Sequence, residues 1–208
     1  RIERLKVDQG ILIFRDPAIT TDITANISPA SKMQDVRQVG IKFSAQGKFK
    51  GIAFHANGEG GKILSLLDTK TPYPLQGDMQ LGATRISVGG TITGLSTLSA
   101  VDMQLGIRGE DLSALFPLVA IPFPASPPYE IQGRLVRKGD SWQFNDFEGK
   151  VGDSDLGGDF NVNVGGKKPF VRAEWVSRLL DIDDLGGVIG APPQTGPGEP
   201  ASAAQKKT

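Results

Sequence analysis

The sequence predicts a mainly β protein in which repeating antiparallel strands form a curved groove or half-barrel, with a few short helices. Apolar and polar residues alternate with period two along most of the chain, which is typical of strands with one buried and one solvated face. The 208 residues include 27 glycines and 14 prolines, a share that favours a turn-rich β protein. Stretches with helical periodicity are scarce.

Taken from the N-terminus, residues 2–7 are predicted to form a strand, followed by a hairpin link at 8–10. Further hairpin links are predicted at 138–140 and 165–167, where glycine lies beside polar residues. The remaining predicted strands have these apolar residues on one face: Val39, Ile41, Phe43 and Ala45; Ile52, Phe54 and Ala56; Tyr73, Leu75, Met79 and Leu81; Ile86 and Val88; Val101, Met103, Leu105 and Ile107; Tyr129, Ile131 and Leu135; Trp142 and Phe144; Phe160, Val162 and Val164; Val171, Ala173 and Trp175.

Short helices are predicted at 62–67, 111–116 and 181–189. The second and third open on an aspartate, which suits an N-cap, and Pro117 is expected to end the second. From about residue 191 the chain is rich in Pro, Gly and Ala without periodicity. We therefore predict one β-groove segment over 1–190 and a disordered linker over 191–208.

An internal repeat organises the middle of the chain. The pattern Pro-Tyr-x-Leu/Ile-Gln-Gly-x-Met/Leu occurs at 72–79 and again at 128–135, each time after a short Leu-rich segment. The repeat units lie near 62–109 and 111–178. A repeated unit that cannot bury its own apolar face is expected to stack with its neighbours into an elongated sheet.

The apolar face of such a sheet needs a cover, either by closure, by a second sheet or by a ligand. Lipid acyl chains suit an open face because apolar burial is non-directional, at about 0.8 kcal/mol per CH₂. The alternation alone fits a closed β-sandwich with an ordinary core slightly better. A charge in the groove, such as Met103→Glu, is expected to block lipid passage more than it harms folding. The predicted floor residues are Ile41, Phe43, Ile52, Phe54, Leu75, Met79, Leu81, Val101, Met103, Leu105, Ile107, Ile131, Leu135, Phe160 and Val162.

Composition argues against several functional classes. Lys plus Arg and Asp plus Glu are 23 each, so the net charge of zero lacks the basic excess of a nucleic-acid binder. There is no Cys and one His, which excludes disulfides, thiol nucleophiles and Cys/His metal sites. His55 is predicted to point to solvent, away from Phe54, with no partner to orient it. We expect neither an enzyme nor a cofactor.

One acidic stretch is a weak candidate for calcium. Asp153, Asp155 and Asp159 offer carboxylates beside glycines, although the spacing departs from that of a calcium loop. A turn in which Asp and Ser bond their own backbone explains the same residues. Residues 58–63 depart twice from a phosphate-binding loop and are predicted to link two elements instead.

Three stretches resemble the bacterial AsmA family, which includes TamB-like proteins. They are residues 2–17, residues 109–129, and residues 142–156 taken with 180–192. The third is the most specific, because Gly-Asp-Ser-Asp-Leu at 152–156 is followed by Leu-Asp-x-Asp-Asp-Leu-Gly at 180–186. The similarity covers nearly all of the chain up to the linker.

This resemblance implies a protein on the periplasmic side of the inner membrane of a Gram-negative bacterium, with its membrane anchor upstream of this chain. It implies a β groove that carries phospholipids passively toward the outer membrane, with phospholipid acyl chains and other envelope proteins as partners. The alternative is a closed β-sandwich that assists outer-membrane protein assembly as a scaffold or binding module. The family is not defined by catalytic residues, so the resemblance implies none.

Overall fold

A computed structural model of the chain describes residues 9–30, 40–62, 68–94, 97–119, 123, 125–166, 168, 170–181 and 184. Within them, eleven strands form one sheet in which the spatial order equals the order along the chain. All neighbouring pairs are antiparallel, and the first and last strands each pair on one side only, so the sheet is open. The predicted mainly β architecture of repeated antiparallel strands is confirmed, and the sheet is open and uncurled rather than a half-barrel. A closed sandwich requires two facing sheets, and the described residues form one.

The strands are seven to eleven residues long. They are β1 (Gly10–Asp16), β2 (Thr21–Pro29), β3 (Ile41–Phe49), β4 (Ile52–Gly60), β5 (Tyr73–Leu81), β6 (Thr84–Thr93), β7 (Ala100–Gly109), β8 (Tyr129–Lys138), β9 (Ser141–Val151), β10 (Ser154–Asn163) and β11 (Phe170–Val176). Residues 58–60, predicted to lie in a link, belong to β4 instead.

Two-residue turns join several of these strands. Lys50 and Gly51 connect β3 to β4 with φ angles of 49° and 82°, and positive φ at both central residues matches the right-handed twist of the flanking strands. The predicted link at 138–140 is confirmed, since β8 ends at Lys138 and β9 begins at Ser141. The short links fix the register of the pairs that they join.

The longest described connection, between β7 and β8, contains a 3₁₀ segment (Leu112–Leu115) followed by a one-turn helix α1 (Phe116–Val119). The Asp111 carboxylate accepts a hydrogen bond from the Ser113 amide at 2.8 Å, which confirms the predicted N-cap. Pro117 does not end the helical segment but lies within α1. Proline is tolerated there because the first turn of a helix has no intrahelical partners for its N–H groups.

Several predicted elements fall outside the described residues. They are the strand at 2–7, most of the helices at 62–67 and 181–189, and the linker at 191–208. Conversely, the structure contains β1 and β2, which the alternation does not reveal. In β1, Ile11, Leu12, Ile13 and Phe14 are consecutive, so no period of two is visible.

One extra residue in β9 interrupts the regular pairing with both of its neighbours. At this bulge Asp146 has a φ of 48°, and its amide donates a hydrogen bond to the Asp159 carboxylate at 3.0 Å. The extra residue brings Phe144 and Phe147 to the same side of the sheet, where their rings stack with centroids 5.7 Å apart. The bulge therefore keeps β9 apolar on one face despite the change of register.

Candidate functional site

The sheet has one apolar face and one polar face. In β3, for example, Ile41, Phe43 and Ala45 lie on the apolar face, while Lys42 and Ser44 point the other way and are exposed. Because opposite residues of an antiparallel pair share a face, the pairing carries this division from β2 to β8, whereas β1 also has Ile11 and Ile13 on the polar face. All of the predicted floor residues, from Ile41 to Val162, lie on the apolar face by this criterion.

Two clusters cover the ends of the strands on the apolar face. The first end cluster comprises Leu112, Leu115, Tyr129 and Val151, and the helical segment between β7 and β8 provides its cover. The second end cluster comprises Ile92, Val101 and Met103, with Leu98, Leu135 and Trp142 packed against it. Val151 is fully buried and Met103 is 7% exposed. These two clusters are part of the hydrophobic core, which also includes Ile41, Tyr73 and Leu81.

Burial changes the expectation for Met103→Glu. Four of the predicted floor residues, namely Ile41, Leu81, Val101 and Met103, are buried by the protein's own residues. A carboxylate at Met103 would lie in the second end cluster without a partner, at a large desolvation cost. We therefore expect Met103→Glu to unfold the chain, and a test of ligand binding has to use another position.

The centre of the apolar face is more open than its ends. A row of directly paired residues, Ala45, Ala56, Met79, Ile86, Ile107 and Ile131, crosses six neighbouring strands from β3 to β8, and each member is half-buried. We call this row the central lane. At a strand spacing of about 4.8 Å it extends for about 24 Å.

Glycines lie beside the central lane on the apolar face. A Cβ atom added to Gly58 would lie 2.4 Å from the carbonyl oxygen of Gln76 and 2.5 Å from the ring of Phe43. One added to the paired Gly77 would lie 2.6 Å from the carbonyl oxygen of Asn57. On the polar face, by contrast, a Cβ atom at Gly89 would meet nothing within 4 Å. Neighbouring strands therefore approach closely on the apolar side. Glycine within a strand often marks such a close approach of another backbone.

The repeated motif places a tyrosine at the end of a strand. Tyr73 and Tyr129 are the first residues of β5 and β8 and are 2% and 3% exposed. The ring of Tyr73 lies against Gly60 and its hydroxyl donates to the Gly61 carbonyl at 2.9 Å, while Tyr129 lies against Gly109. Burial raises the pKa of Tyr73 to about 12 and also raises the pKa of Tyr129. Because β5 and β8 are three strands apart and run in opposite directions, the tyrosines close opposite ends of the sheet.

The structure does not bring the three calcium candidates together. Asp155 and Asp159 lie four residues apart on one strand, about 13 Å at the usual rise per residue. The Asp155 carboxylate accepts hydrogen bonds from the amides of Leu179 and Arg178 at 2.6 and 2.9 Å, and these bonds hold its pKa below the usual value. Among the residues that the structure describes, no group of three or more His, Cys, Asp or Glu side chains could hold a metal ion.

Instead, these residues form a clasp between residues 153–155 and 177–184. The Asp184 carboxylate accepts hydrogen bonds from the amides of Asp153 and Ser154, at 2.8 and 2.9 Å, and from the Ser154 hydroxyl at 2.9 Å. The fully buried Ser154 hydroxyl in turn accepts from the Asp181 amide at 2.9 Å. The motifs at 152–156 and 180–186, which carry the most specific resemblance to the AsmA family, therefore contact each other. Sequence reasoning missed this contact because 30 residues separate Ser154 from Asp184.

The remaining candidate, His55, lies exposed on the polar face, as the alternation predicts. Three hollows, of about 890, 700 and 360 Å³, lie on the polar face. None of the described helices has the length and apolar character needed to cross a membrane.

Comparison with known proteins gives one relative of clear similarity. The chain is 29% identical to the AsmA family protein YhjG of Escherichia coli (strain K12) over 227 aligned positions, which cover 100% of this chain and 33% of the relative. The chain thus spans about a third of the length of the curated relative that it matches. No family model and no solved structure matches the chain. The similarity over its whole length supports the membership of this chain in the AsmA family.

Proposed function

We propose that the chain is a segment of an envelope-biogenesis protein on the periplasmic side of the bacterial inner membrane. In this proposal its apolar face passes phospholipids passively between the inner and outer membranes. The central lane is the observation that carries the proposal, because half-buried apolar side chains continue across six paired strands. The similarity to an AsmA family protein supports the envelope setting.

The chemistry of the lane suits an acyl chain that has to move. Apolar contact is non-directional and contributes about 0.8 kcal/mol per CH₂ removed from water. Lane residues such as Met79, Ile86 and Ile107 offer similar contacts on consecutive strands, so a moving acyl chain would exchange one set of contacts for an equivalent set. Met79 adds an adaptable thioether. The proposed role is binding and guidance, without catalysis by this chain.

The end clusters explain how a sheet could keep its fold while its centre accepts a ligand. Val151 and Met103 are buried by the protein itself, so their contribution to stability does not depend on a ligand. The lane residues are less buried than the clusters, although Ile107 and Ile131 at one end of the lane pack against the first end cluster. We therefore propose that occupation of the lane changes solvent exposure without rebuilding the core.

A pair of charge substitutions tests this proposal. Ala56 belongs to the lane and Asn57, the next residue, lies exposed on the polar face of the same strand. The purified chain is incubated with phosphatidylglycerol vesicles and re-isolated, and the retained phospholipid is measured by native mass spectrometry. We expect Ala56→Glu to lose most of the retained lipid and Asn57→Glu to retain as much as the wild type.

Ala56→Leu serves as a second variant at the same position. It changes the size of the side chain but keeps it apolar, so lipid retention should persist, and urea unfolding verifies that each variant is folded. Equal retention by the folded Ala56→Glu and Asn57→Glu variants would show that the lane is not the lipid site.

A further inference from the structure

Two arginines face each other on the polar side of the sheet. Arg85 on β6 and Arg108 on β7 are direct partners across the strand pair, and both are exposed. Like charges directly opposite each other on neighbouring strands are destabilising. The Arg85 Nε donates to the Gln80 side-chain oxygen at 2.8 Å, which orients its guanidinium group and leaves its terminal nitrogens available.

The structure pairs three other arginines of this face with carboxylates, namely Arg15 with Asp22, Arg134 with Asp102 and Arg172 with Glu174. Arg134 contacts both carboxylate oxygens of Asp102, at 2.8 and 2.7 Å. Within the part of the chain that the structure describes, Arg85 and Arg108 form no ion pair. Guanidinium groups on two directly paired residues, neither of them in an ion pair, offer a site for an oxyanion, because each can bind two oxygens in a fork.

The arginine pair borders a hollow of about 700 Å³, a size within the range of small-ligand sites. Gly106, which is paired with Ser87 and Gln132, lies two residues from Arg108 in the floor of this hollow. A Cβ atom added to Gly106 would lie 2.6 Å from the Ser87 hydroxyl oxygen, so the Ser87 hydroxyl occupies the place that Gly106 leaves free at the floor of the hollow. Ser87 and Gln132 add donors and acceptors at its border.

Carboxylates at the border restrict the charge of the ligand. Glu130 is the direct partner of Arg108 on β8, and Asp78, the direct partner of Ser87, also borders the hollow. A multiply charged anion would be repelled by these two groups. A ligand with one negative and one positive charge would satisfy the arginine pair and a carboxylate together, because neighbouring strands are about 4.8 Å apart.

We propose that this hollow binds a phosphodiester that carries a primary amine, of the glycerophosphoethanolamine class. The phosphate lies between Arg85 and Arg108, and the ammonium group contacts Glu130. The site is on the face opposite to the central lane, so it does not depend on the proposed transport of acyl chains.

Nuclear magnetic resonance titration of the full 208-residue chain with glycerophosphoethanolamine tests the proposal directly. We expect shifts of the Nε–H signals of Arg85 and Arg108, and none for Arg134. Glycerophosphoglycerol, which has the same phosphodiester but no amine, should bind at least several-fold more weakly. Arg85→Gln and Arg108→Gln should each weaken binding about tenfold, equivalent to about 1.4 kcal/mol.

Two further variants separate the phosphate from the amine contact. Glu130→Gln should bind both phosphodiesters with similar affinity, since it removes the preference for the amine. Arg134→Gln is the matched control and should bind like the wild type. The proposal is wrong if Arg85→Gln and Arg108→Gln both bind like the wild type, or if the Arg85 and Arg108 signals do not move on titration.

Vesicles distinguish a lipid headgroup from a soluble ligand. Shifts of the same two signals with vesicles containing phosphatidylethanolamine, but not with matched vesicles containing phosphatidylglycerol, would assign the site to a headgroup. Shifts with the soluble compound alone would assign it to a small molecule. Lipid retention by the central lane, measured on the Arg85→Gln variant, should be unaffected, so failure of one proposal leaves the other testable.

Discussion

The ends and the centre of the apolar face are built from similar residues and differ in what covers them. At the ends, Tyr73, Tyr129 and the segment around Leu112 provide cover, and residues such as Val151 are fully buried. In the centre, lane residues such as Met79 and Ile86 remain half-buried. The difference shows that one face can have separate regions for stabilising the fold and for contact with a ligand. The ends stabilise the sheet, and the centre is available for contact.

The two methionines of this face provide the largest expected difference. Met103 lies in the second end cluster and is 7% exposed, whereas Met79 lies in the central lane. Met103→Ala should lower the free energy of unfolding by about 2–4 kcal/mol, because it leaves a cavity in the core. Met79→Ala should cost about 1 kcal/mol or less, since the wild-type side chain already contacts water. Urea unfolding of both variants measures the difference.

Because the chemical change is the same at both positions, each variant is the control for the other. Equal losses would mean that the lane contributes to the core as much as the ends do, and the comparison between the two regions would fail.

A substitution in the clasp is expected to cause the next largest loss in the free energy of unfolding. Ser154→Ala removes a buried hydroxyl that donates to Asp184 and accepts from the Asp181 amide. The loss should be about 1–3 kcal/mol, because the partner groups lose a hydrogen bond in a buried place. Thermal or urea unfolding measures it, with Ser44→Ala on the exposed polar face as the control. A loss no larger than that of Ser44→Ala would show that the clasp does not stabilise the sheet.

Alkaline pH should weaken the end that Tyr73 closes. Burial raises its pKa from 10.0 to about 12, so above pH 10 the unfolded chain loses this proton more readily than the folded chain. Stability is therefore complete below pH 10 and falls as the pH rises toward 12, by about 1 kcal/mol between pH 10 and 11. In Tyr73→Phe this part of the pH dependence should disappear. An unchanged slope in unfolding experiments between pH 10 and 11 would contradict the assignment.

The smallest loss in the free energy of unfolding is expected for a substitution on the polar face. Arg134 contacts both oxygens of Asp102, and this hydrogen-bonded pair holds the pKa of Asp102 below its usual value. Both side chains are exposed, so water and salt screen the pair. Arg134→Gln should change stability close to the limit of measurement, and any loss should vanish as the pH falls through the pKa of Asp102. A loss as large as that of Ser154→Ala would overturn this ranking.

The sequence predicts the faces of most strands well and the depth of burial poorly. Alternation alone places Phe43, Met79 and Leu105 on one side of the sheet, because the side-chain period of a strand is fixed by its backbone. It cannot distinguish Met103 from Met79, since burial depends on which distant segments cover the strand ends. That information resides in contacts between strands and connections, which a local pattern does not contain.

The clasp and the bulge show that prediction from a local sequence pattern has the same limit for polar residues. Carboxylates such as Asp155 and Asp159 resemble metal ligands in the sequence, but in the structure they accept hydrogen bonds from backbone amides. The partners of Asp155 lie more than 20 residues away, beyond β11. Similarly, the juxtaposition of Arg85 and Arg108 follows from the register of β6 and β7, which neither strand reveals by itself.

Site-specific photo-crosslinking tests the central claim most directly. A photoreactive amino acid at Ala56, in the central lane, and at Asn57, one residue further on the opposite face, compares the two faces at the same place in β4. After incubation with phosphatidylglycerol vesicles and irradiation, mass spectrometry of the chain should find phospholipid adducts at position 56 and few at position 57. Equal labelling of both positions, or labelling of position 57 alone, would contradict the assignment of the apolar face as the lipid site.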